Sequence, residues 1–382
     1  TESKLVELTL WASGGTPAKD IPEYWGDDIP LISGASMHTN QLYESDVKIT
    51  KLGLPKGSKL APKDSILILV RGSMLFNKIP MGITLGDVAF NQDVKCIRPK
   101  QQLAPLFLFQ WLHAKENTIQ NKVTATGIGA GKLDTADLQN LKLYKPSLEE
   151  QTKIATFLSA VDEKISQLTQ KHQLLREYKQ GMMQKLFSQQ VRFKADDKSE
   201  FGEWEEKELK DIAEINPKSK KLPESFIYID LESVEKGKLL LQKNIELQDA
   251  PSRAQRLLAK GDVLFQMVRP YQQNNYYFNL SGEYVASTGY AQIRTKLDSK
   301  FIYYALHEKT FLDEVMNRCT GTSYPAINSS DLSSIEILIP CLEEQTKIAN
   351  VLSAIDQKIE VISKQIEQAK QWKKGLLQQM FI

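Results

Sequence analysis

The chain has 382 residues, of which 41% are hydrophobic and 25% charged, and this composition is typical of a globular protein with two domains or more. Three widely spaced cysteines argue against a disulfide framework or a zinc site and favour free thiols in a reducing compartment, and the apolar runs are too short to cross a membrane. The formal net charge of +2 does not indicate nucleic-acid binding, which would have to come from local clusters of Lys and Arg. Without a signal-peptide pattern, we expect a cytoplasmic protein with no membrane partner.

Residues 1–145 mix short strand-like runs with turns and are predicted to form a first α/β domain. SILILVR at 65–71 is a continuous apolar run, which is typical of a buried strand. Residues 104–120 have helical spacing, with Leu108, Trp111, Leu112 and Ile119 on one side. TGIGAGK at 126–132 is a Gly-rich loop.

The segment 146–187 is predicted to form one long helix. Ser147 and Glu150 have the spacing of a capping box at its start. Apolar side chains then recur in steps of four and three, and this heptad spacing is typical of a coiled coil. A long helix in an ordinary bundle core is the alternative. The residues predicted to pair are Ile154, Leu158, Val161, Ile165 and Leu168.

Residues 188–203 are polar and predicted to be a linker, and 204–339 are predicted to form a second mixed domain. KGDVLFQMVR at 260–269 is similar to KDSILILVR at 63–71 in the first domain. The second domain has EINPK at 214–218 where the first has GGTP at 14–17. The two domains are therefore expected to share a frame and to differ in their loops.

The segment 340–382 is predicted to form a second long helix that repeats the first. LEEQTKIA occurs at 148–155 and again at 342–349, and 19 of the 42 aligned positions of the two segments are identical. Lys179 and Lys373 interrupt the apolar pattern at equivalent places. The residues predicted to pair are Ile348, Leu352, Ile355, Ile359 and Ile362.

The predicted fold is therefore α+β, with two mixed α/β domains separated by two long helices that form an antiparallel coiled coil. Helices of about forty residues span about 60 Å. Antiparallel pairing gives the internal repeat a pseudo-two-fold arrangement, in which dimeric DNA readers meet two half-sites. Because the domains differ in sequence, the half-sites are expected to differ.

The order of these parts closely resembles the specificity subunit of type I restriction–modification enzymes. The resemblance is carried by the twin segments that begin P-x-LEEQTKIA, by the TG and DL residues before each helix, and by GGTP and the strand that ends at Arg71. It implies a non-catalytic subunit with two target-recognition domains for a split, asymmetric sequence in double-stranded DNA. It further implies that the helices set the gap and dock two modification subunits. These methylate adenine with S-adenosylmethionine, so no cofactor is expected in this chain, and separate motor-nuclease subunits add restriction.

No group of residues assembles a plausible catalytic or metal site in the sequence. TGIGAGK lacks the first Gly of a P-loop and has Leu133 where a Ser or Thr would hold magnesium. The four histidines have no metal-ligand spacing. A coiled-coil scaffold that displays two protein- or glycan-binding domains, or a specificity module for another modification system, are the alternative functions.

The candidate DNA-contacting residues lie in loops at the ends of strands. Arg, Gln and Asn can read guanine and adenine edges, whereas Lys mainly holds phosphate and positions the protein. For the segment 268–278, a polar loop between strands is the alternative. In the first domain the candidates are Gly15, Thr16, Arg71, Ser73, Asn77, Lys78, Thr126 and Lys132. In the second they are Arg269, Tyr271, Gln272, Gln273, Asn274, Asn275, Arg318, Thr322, Ser323 and Tyr324.

Overall fold

A computed structural model describes residues 2–127, 129–218 and 221–381 of the chain. The chain divides into two compact units. Unit 1 contains the described residues of 1–169 and 364–382, and unit 2 is the continuous stretch 170–363. Unit 1 is therefore built from two separate stretches of sequence. The predicted domain boundaries stay a prediction.

Unit 1 contains fourteen strands among the described residues, most of them short. The strands are β1 (Glu2–Lys4), β2 (Thr9–Ser13), β3 (Trp25–Ile32), β4 (Gln41–Leu42), β5 (Lys48–Ile49), β6 (Lys59–Ala61), β7 (Ile66–Leu69), β8 (Arg71–Gly72), β9 (Met81–Thr84), β10 (Val88–Phe90), β11 (Val94–Pro99), β12 (Thr124–Ala125), β13 (Gly131–Lys132) and β14 (Lys142–Tyr144). The helices that begin in unit 1 are α1 (Leu5–Leu8), α2 (Pro105–Ala114), α3 (Glu116–Gln120), α4 (Thr135–Gln139) and α5 (Leu148–Phe187).

Unit 2 repeats this mixture of short strands and helices. Its strands are β15 (Glu205–Glu208), β16 (Ala213–Ile215), β17 (Ser225–Ile229), β18 (Val234–Glu235), β19 (Lys238–Leu239), β20 (Lys243–Glu246), β21 (Ala254–Leu257), β22 (Val263–Gln266), β23 (Tyr276–Tyr277), β24 (Tyr284–Ser287), β25 (Tyr290–Thr295) and β26 (Glu336–Ile339). Its helices are α6 (Leu209–Ile212), α7 (Ser299–Ala305), α8 (Lys309–Arg318), α9 (Ser329–Ser333) and α10 (Leu342–Met380), the last of which continues into unit 1.

The two units share a sheet topology. In unit 1 the largest sheet has the order β2-β11-β7-β9-β4, and in unit 2 the matching order is β16-β25-β22-β23. A second sheet in each unit contains one parallel pair, β3 with β10 and β17 with β24. A short antiparallel ribbon precedes each long helix, β1 with β14 and β15 with β26. The duplication seen in the helices therefore extends to both mixed domains.

The central strand of each large sheet is the apolar run that the sequence indicated. All four residues of β7 are buried, and so are all four of β22. A strand covered on both faces carries apolar residues in succession rather than in alternation. These strands lie in the main core of each unit.

The helix predicted for 104–120 is broken into α2 and α3 at Lys115. There the backbone has φ −92° and ψ 6°, outside the helical region. The short α3 is held in place by Glu116, whose carboxylate accepts a hydrogen bond from the Ile79 backbone N–H at 3.0 Å. Leu108, Trp111 and Ile119 are buried on both sides of the break, so the apolar spacing is kept.

Each long helix is amphipathic over its whole length, and α5 and α10 run antiparallel. Ser147 caps α5 by accepting a hydrogen bond from the Glu150 N–H at 3.3 Å. In unit 1, Phe157 of α5 packs edge-to-face on Trp372 of α10, with ring centroids 5.9 Å apart. Of the residues predicted to pair, six are buried (Leu158, Val161, Ile348, Leu352, Ile355 and Ile362) and four are half-buried (Ile154, Ile165, Leu168 and Ile359). Their pairing with one another stays a prediction.

Candidate functional site

In unit 1 two basic side chains lie opposite each other where the central strand ends. Strand β8 pairs with β13 so that Arg71 is opposite Lys132 and Gly72 is opposite Gly131. A Cβ on Gly131 would lie 2.9 Å from the Gly72 carbonyl oxygen, which is why glycine is required for this close pairing. Both basic side chains are exposed. Like charges directly opposite each other destabilise a strand pair, and an anion between them removes that cost.

The turn that follows Arg71 presents polar side chains from a fixed backbone. Ser73, Asn77 and Lys78 are exposed, whereas Leu75 is buried beneath them. The Gln120 side-chain amide donates to the Phe76 carbonyl oxygen at 3.0 Å. The end of the turn is therefore held by side chains of α3, since Glu116 binds the Ile79 N–H three residues further on.

The carboxylate of Glu116 is kept in its charged form. Burial acts to raise its pKa, but the nearby His113 ring, 3.8 Å away, and the hydrogen bond from the Ile79 N–H outweigh that effect, and the net pKa lies below its ordinary value. A charged acceptor binds a backbone N–H more strongly than a neutral one. Glu116 thus stabilises the polar turn at neutral pH.

The GGTP segment lies beside the same strand end because its glycines allow close packing. A Cβ on Gly14 would lie 2.1 Å from the Phe90 carbonyl oxygen, and one on Gly15 would lie 2.1 Å from the Gly57 carbonyl oxygen. The Thr16 hydroxyl donates to the Gln92 side-chain oxygen at 2.8 Å. The neighbouring turn, 91–93, is joined to the strand end by the Val70 N–H, which donates to the Asp93 carbonyl oxygen.

Thr126 closes the hairpin between β12 and β13. Its N–H and its hydroxyl both donate to the Ala130 carbonyl oxygen, at 2.8 and 2.9 Å. Ile128 lies outside the described residues. The structure thus brings the first-domain candidates into one group, which we call loop cluster A: residues 14–17, 71–78, 91–93, 124–127 and 129–132.

Unit 2 has an arginine at the matching strand end, and its backbone conformation is unusual. Arg269 has φ 54° and ψ 53°, and Gln273 at the other end of the 3-10 turn Pro270–Gln272 is also left-handed. Such conformations cost on the order of 1 kcal/mol or more each for residues other than glycine. The Arg269 N–H donates to the Pro325 carbonyl oxygen at 2.7 Å, and its guanidinium lies 4.3 Å from the centroid of the Tyr324 ring. Strand end and hairpin 320–326 are therefore joined, as in unit 1.

Gln266, which is 2% exposed, supports this turn from below. Its side-chain amide donates to the Gln272 side-chain oxygen at 2.9 Å and accepts from the Asn274 N–H at 3.0 Å. Its own N–H donates to the Asn275 side-chain oxygen at 2.8 Å. Asn275 is 1% exposed, so the structure places this predicted DNA-contacting residue in a supporting position rather than at the surface.

His307 completes the support for Asn275. Its Nδ1 lies 2.7 Å from the Tyr303 carbonyl oxygen, and its Nε2 lies 3.5 Å from the Asn275 amide nitrogen. Burial lowers the pKa of His307 to about 4, so the ring is neutral at neutral pH. The contact with a carbonyl puts the proton on Nδ1 and leaves Nε2 as an acceptor for the amide.

A hairpin that the sequence reasoning did not single out lies against the same turn. The Lys236 N–H donates to the Asn274 side-chain oxygen at 3.0 Å. Gly237, with φ 76°, approaches so closely that a Cβ there would lie 2.5 Å from the Tyr303 hydroxyl. Lys236 and Lys238 are exposed. Two lysines around a glycine between short strands are a turn signal, but their closeness to residues nearly forty positions later is not readable from that pattern.

We call this second group loop cluster B: residues 235–238, 269–275 and 320–326. Tyr271, Thr322 and Ser323 are exposed within it. Arg318 is instead tied into the unit, because its guanidinium donates to the Asp331 carbonyl oxygen at 3.2 Å and to the Ser334 hydroxyl at 2.8 Å. The DNA contacts of both clusters stay predictions.

The segment of unit 2 that corresponds to GGTP is held by side-chain hydrogen bonds instead of close glycine packing. Asn216 is left-handed, with φ 54°, and its side-chain oxygen accepts from the Gln292 N–H at 2.9 Å. Its amide nitrogen donates to the Ser329 hydroxyl at 2.8 Å. An asparagine that bonds its own surroundings replaces the close glycine packing of unit 1.

Two other kinds of site are absent from the described part of the chain. No helix there is both long and apolar enough to cross a bilayer. Nor do the described His, Cys, Asp and Glu side chains form a group of three or more that could hold a metal ion.

Comparison with known proteins gives a consistent result. A family model described as type I restriction modification DNA specificity domain matches residues 1–176 and 202–371. The MjaVIII specificity subunit of Methanocaldococcus jannaschii is 29% identical over 393 residues, with 98% of this chain and 90% of that protein covered. The EcoR124I/EcoR124II specificity subunit of Escherichia coli is 29% identical over 168 residues, which cover 44% of this chain and 42% of that protein.

Solved structures share the fold. The S subunit of a type I restriction–modification system from M. genitalium has a TM-score of 0.64 at 17% identity, with 100% of this chain and 96% of that chain covered. A chain from a study of complex assembly and conformational transition of the type I R-M system has a TM-score of 0.57 at 18% identity, covering 99% and 96%. The predicted fold is confirmed.

The family match also decides the class of function. The matching family model describes a DNA specificity domain, and the relatives are named specificity subunits. The interpretation as a non-catalytic DNA-recognition subunit is therefore confirmed. Two consecutive matched segments account for most of the sequence, in keeping with the internal repeat. The chain therefore belongs to the type I restriction–modification DNA specificity family.

Proposed function

We propose that loop clusters A and B read the two halves of a split, asymmetric target in double-stranded DNA. The observation that carries this proposal is the shared frame of the two clusters. In each, an arginine follows the buried central strand and is joined to a late hairpin, as Arg71 is to Lys132 and Arg269 is to Tyr324. The same frame bearing different side chains is what two readers of different sequences require.

The polar side chains of cluster B supply the chemistry of base reading. Arg269 can bind the O6 and N7 of guanine in a bidentate manner, and Gln272, Gln273 and Asn274 carry amides that match adenine edges. The cation–π contact of Arg269 with the Tyr324 ring restrains the guanidinium group. Its left-handed backbone fixes the direction in which the side chain leaves the strand.

Cluster A offers a different set of groups. Arg71 is the candidate for guanine, and Ser73 and Asn77 can contact base edges or phosphates. Lys78 and Lys132 are suited to phosphate, which positions the protein without specifying sequence. Arg71 and Lys132 carry like positive charges opposite each other, which supports an anionic ligand at this place.

We further propose that α5 and α10 set the gap between the half-sites and dock two modification subunits. Exposed apolar side chains on these helices support docking: Trp372 and Phe157 in unit 1 are 54% and 42% exposed, and Tyr178 in unit 2 is 54% exposed. The partners would bind S-adenosylmethionine and methylate adenine, and motor-nuclease subunits would add restriction. The cytoplasm, where the target DNA lies, is the proposed site of action.

The experiment is to coexpress the chain with a candidate adenine methyltransferase and to map the methylated adenines by sequencing. We expect one bipartite motif whose halves differ. Exchange of residues 269–275 for the matching loop of a relative should change one half and leave the other intact. Methylation without a motif, or a change in both halves, would contradict the proposal.

A further inference from the structure

A three-residue polar cluster joins the first mixed domain to both long helices in unit 1. The side-chain amide nitrogen of Gln110, on α2, donates to Asp162 Oδ2 on α5 at 2.8 Å. The other carboxylate oxygen, Asp162 Oδ1, is 2.6 Å from the Nζ of Lys373 on α10. The Lys373 side chain is 12% exposed, so this ion pair lies largely within the packed helix face.

Unit 2 contains an equivalent cluster. The Tyr304 hydroxyl, on α7, donates to Asp356 Oδ2 on α10 at 2.7 Å. Asp356 Oδ1 is 2.6 Å from the Nζ of Lys179 on α5, and that ammonium also lies 5.2 Å from the Tyr304 ring centroid. Each member is 194 positions from its counterpart: 304 from 110, 356 from 162, and 373 from 179.

Polar clusters of this kind can fix the register of two paired helices, which the apolar helix face alone cannot do. Apart from the interruptions at Lys179 and Lys373, apolar residues recur in steps of four and three along both helices, so helices displaced by one heptad would again bring mostly apolar residues together. That displacement is about 10 Å at 1.5 Å per residue, and about three base pairs at 3.4 Å per pair. A displaced helix would separate each aspartate from its lysine. The charges, whose side chains are only 12–38% exposed, would then be partly buried without a partner, which is costly. A single polar position in an apolar face is the best-attested means of fixing helix register.

We propose that the triads Gln110–Asp162–Lys373 and Tyr304–Asp356–Lys179 fix the register of α5 against α10 and thereby fix the spacer between the two DNA half-sites. The statement about the spacer rests on the proposed function; the statement about register does not. The six residues are positioning residues, which act by holding the helices and the mixed domains together. Gln110 and Tyr304 extend the register to the mixed domain of each unit.

The test uses two double variants of the full chain with the same composition and the same net charge. In D162K/K373D the charges are exchanged within the unit 1 triad, so a complementary pair is kept. In D162K/K179D, the lysine introduced at position 162 would face Lys373, and the aspartate introduced at position 179 would face Asp356, so both triads contain like charges. Gln110 tolerates either charge at position 162, because its Oε1 is buried without a partner and can accept from an ammonium.

The first readout is thermal unfolding of the wild type, D162K and the two double variants. We expect D162K to lower the midpoint, D162K/K373D to restore it, and D162K/K179D to lower it further. Equal midpoints for the two double variants, including failure of both to fold, would overturn the register role. This readout needs no methylation, so it stands even where the proposed function fails.

The second readout is the spacer found by methylome sequencing with the methyltransferase present. For D162K/K179D we expect methylation at the native spacing to fall about tenfold, which corresponds to ~1.4 kcal/mol, and sites with altered spacers to appear. D162K/K373D should retain the native spacing. If the mismatched variant loses activity but keeps only the native spacer, the triads stabilise the helices without setting the gap, and the proposal is overturned. A wild type that directs no methylation would instead contradict the proposed function.

Discussion

The guanidinium of Arg269 lies 4.3 Å from the ring centroid of Tyr324, and its backbone N–H is bonded to the residue that follows that tyrosine. Arg269 is thus held at its backbone N–H and at its guanidinium group before any ligand binds. A rigid side chain loses less conformational entropy on binding than a mobile one. We therefore expect this pair to dominate reading by cluster B.

Replacement of Arg269 by Ala should weaken or relax recognition of one half-site only, by roughly 1–3 kcal/mol if the contact is bidentate. Tyr324→Ala should cause a smaller loss of binding free energy at the same base position, since the guanidinium keeps its charge but loses its contact with the aromatic ring. Tyr324→Phe, which keeps the ring, is the matched control. Binding to a panel of duplexes with single base changes measures both. Equal loss on every sequence would identify Arg269 as a phosphate contact instead.

Lys236 and Lys238 are expected to hold phosphate, because they are exposed and flank the turn that contacts Asn274. Replacement of either by Ala should weaken binding on all sequences alike and reduce the salt slope of log K by about one. Titrations of specific and random duplexes at several salt concentrations test this. Lys358, exposed on α10, is a control lysine away from the cluster. A change in sequence preference would show that the hairpin reads bases.

Gly237→Ala should destabilise unit 2 by roughly 1–3 kcal/mol, since the backbone has φ 76° and the new Cβ would lie 2.5 Å from the Tyr303 hydroxyl. Gly181→Ala is a matched control within α5, where a Cβ meets nothing within 4 Å. Helical propensity predicts that this control gains about 0.5–1 kcal/mol. Chemical denaturation of both variants measures the difference, and an unaffected Gly237→Ala protein would contradict the close packing of the hairpin.

An insertion of four residues into each long helix adds about 6 Å of rise, close to two base pairs. We expect the spacer of the methylated motif to change while its half-sites stay the same. The same insertion into the polar segment 188–203 should leave the spacer unaltered. Methylome sequencing that finds one constant spacer in both proteins would rule out a ruler role for the helices.

His307 should make stability depend on pH. Its pKa is about 4 in the folded protein, against 6.5 ordinarily, so between these values the unfolded chain takes up a proton that the folded one excludes. The contribution is complete above pH 6.5 and decreases as pH falls to about 4, by on the order of 3 kcal/mol. Denaturation of His307→Gln should show a shallower decrease over that window. The exposed His38→Gln variant is the control, and a slope identical to the wild type in His307→Gln would refute the buried neutral ring.

The apolar frame was readable from sequence because its signals are local. The heptads of α5 and α10 and the uninterrupted run of β7 each occupy one continuous segment. The break at Lys115 was not readable, because it depends on Glu116 reaching the distant Ile79 N–H. For the same reason the spacing of polar residues in 269–275 could not separate Asn275, which is buried, from exposed neighbours such as Tyr271.

Loops brought together from distant parts of the chain were the hardest to predict. Lys236 meets Asn274 across 38 positions, and no periodicity links them. Arg318 belongs to a polar segment that suits DNA, yet its guanidinium is used to join α8 to α9. Composition shows which groups a loop carries, whereas their direction is decided by contacts outside it.

The division of unit 1 into two stretches has a consequence for synthesis. Phe381 packs on Phe107 with ring centroids 5.4 Å apart, and its carbonyl oxygen accepts from the Lys115 ammonium. Unit 2 is complete once residue 363 has left the ribosome, whereas the first stretch of unit 1, which ends at residue 169, waits for residues near 381. At roughly 5–20 residues per second that wait is about 10 to 40 s. The first stretch of unit 1 is thus made before unit 2 and packs in its final form only after unit 2 has been made.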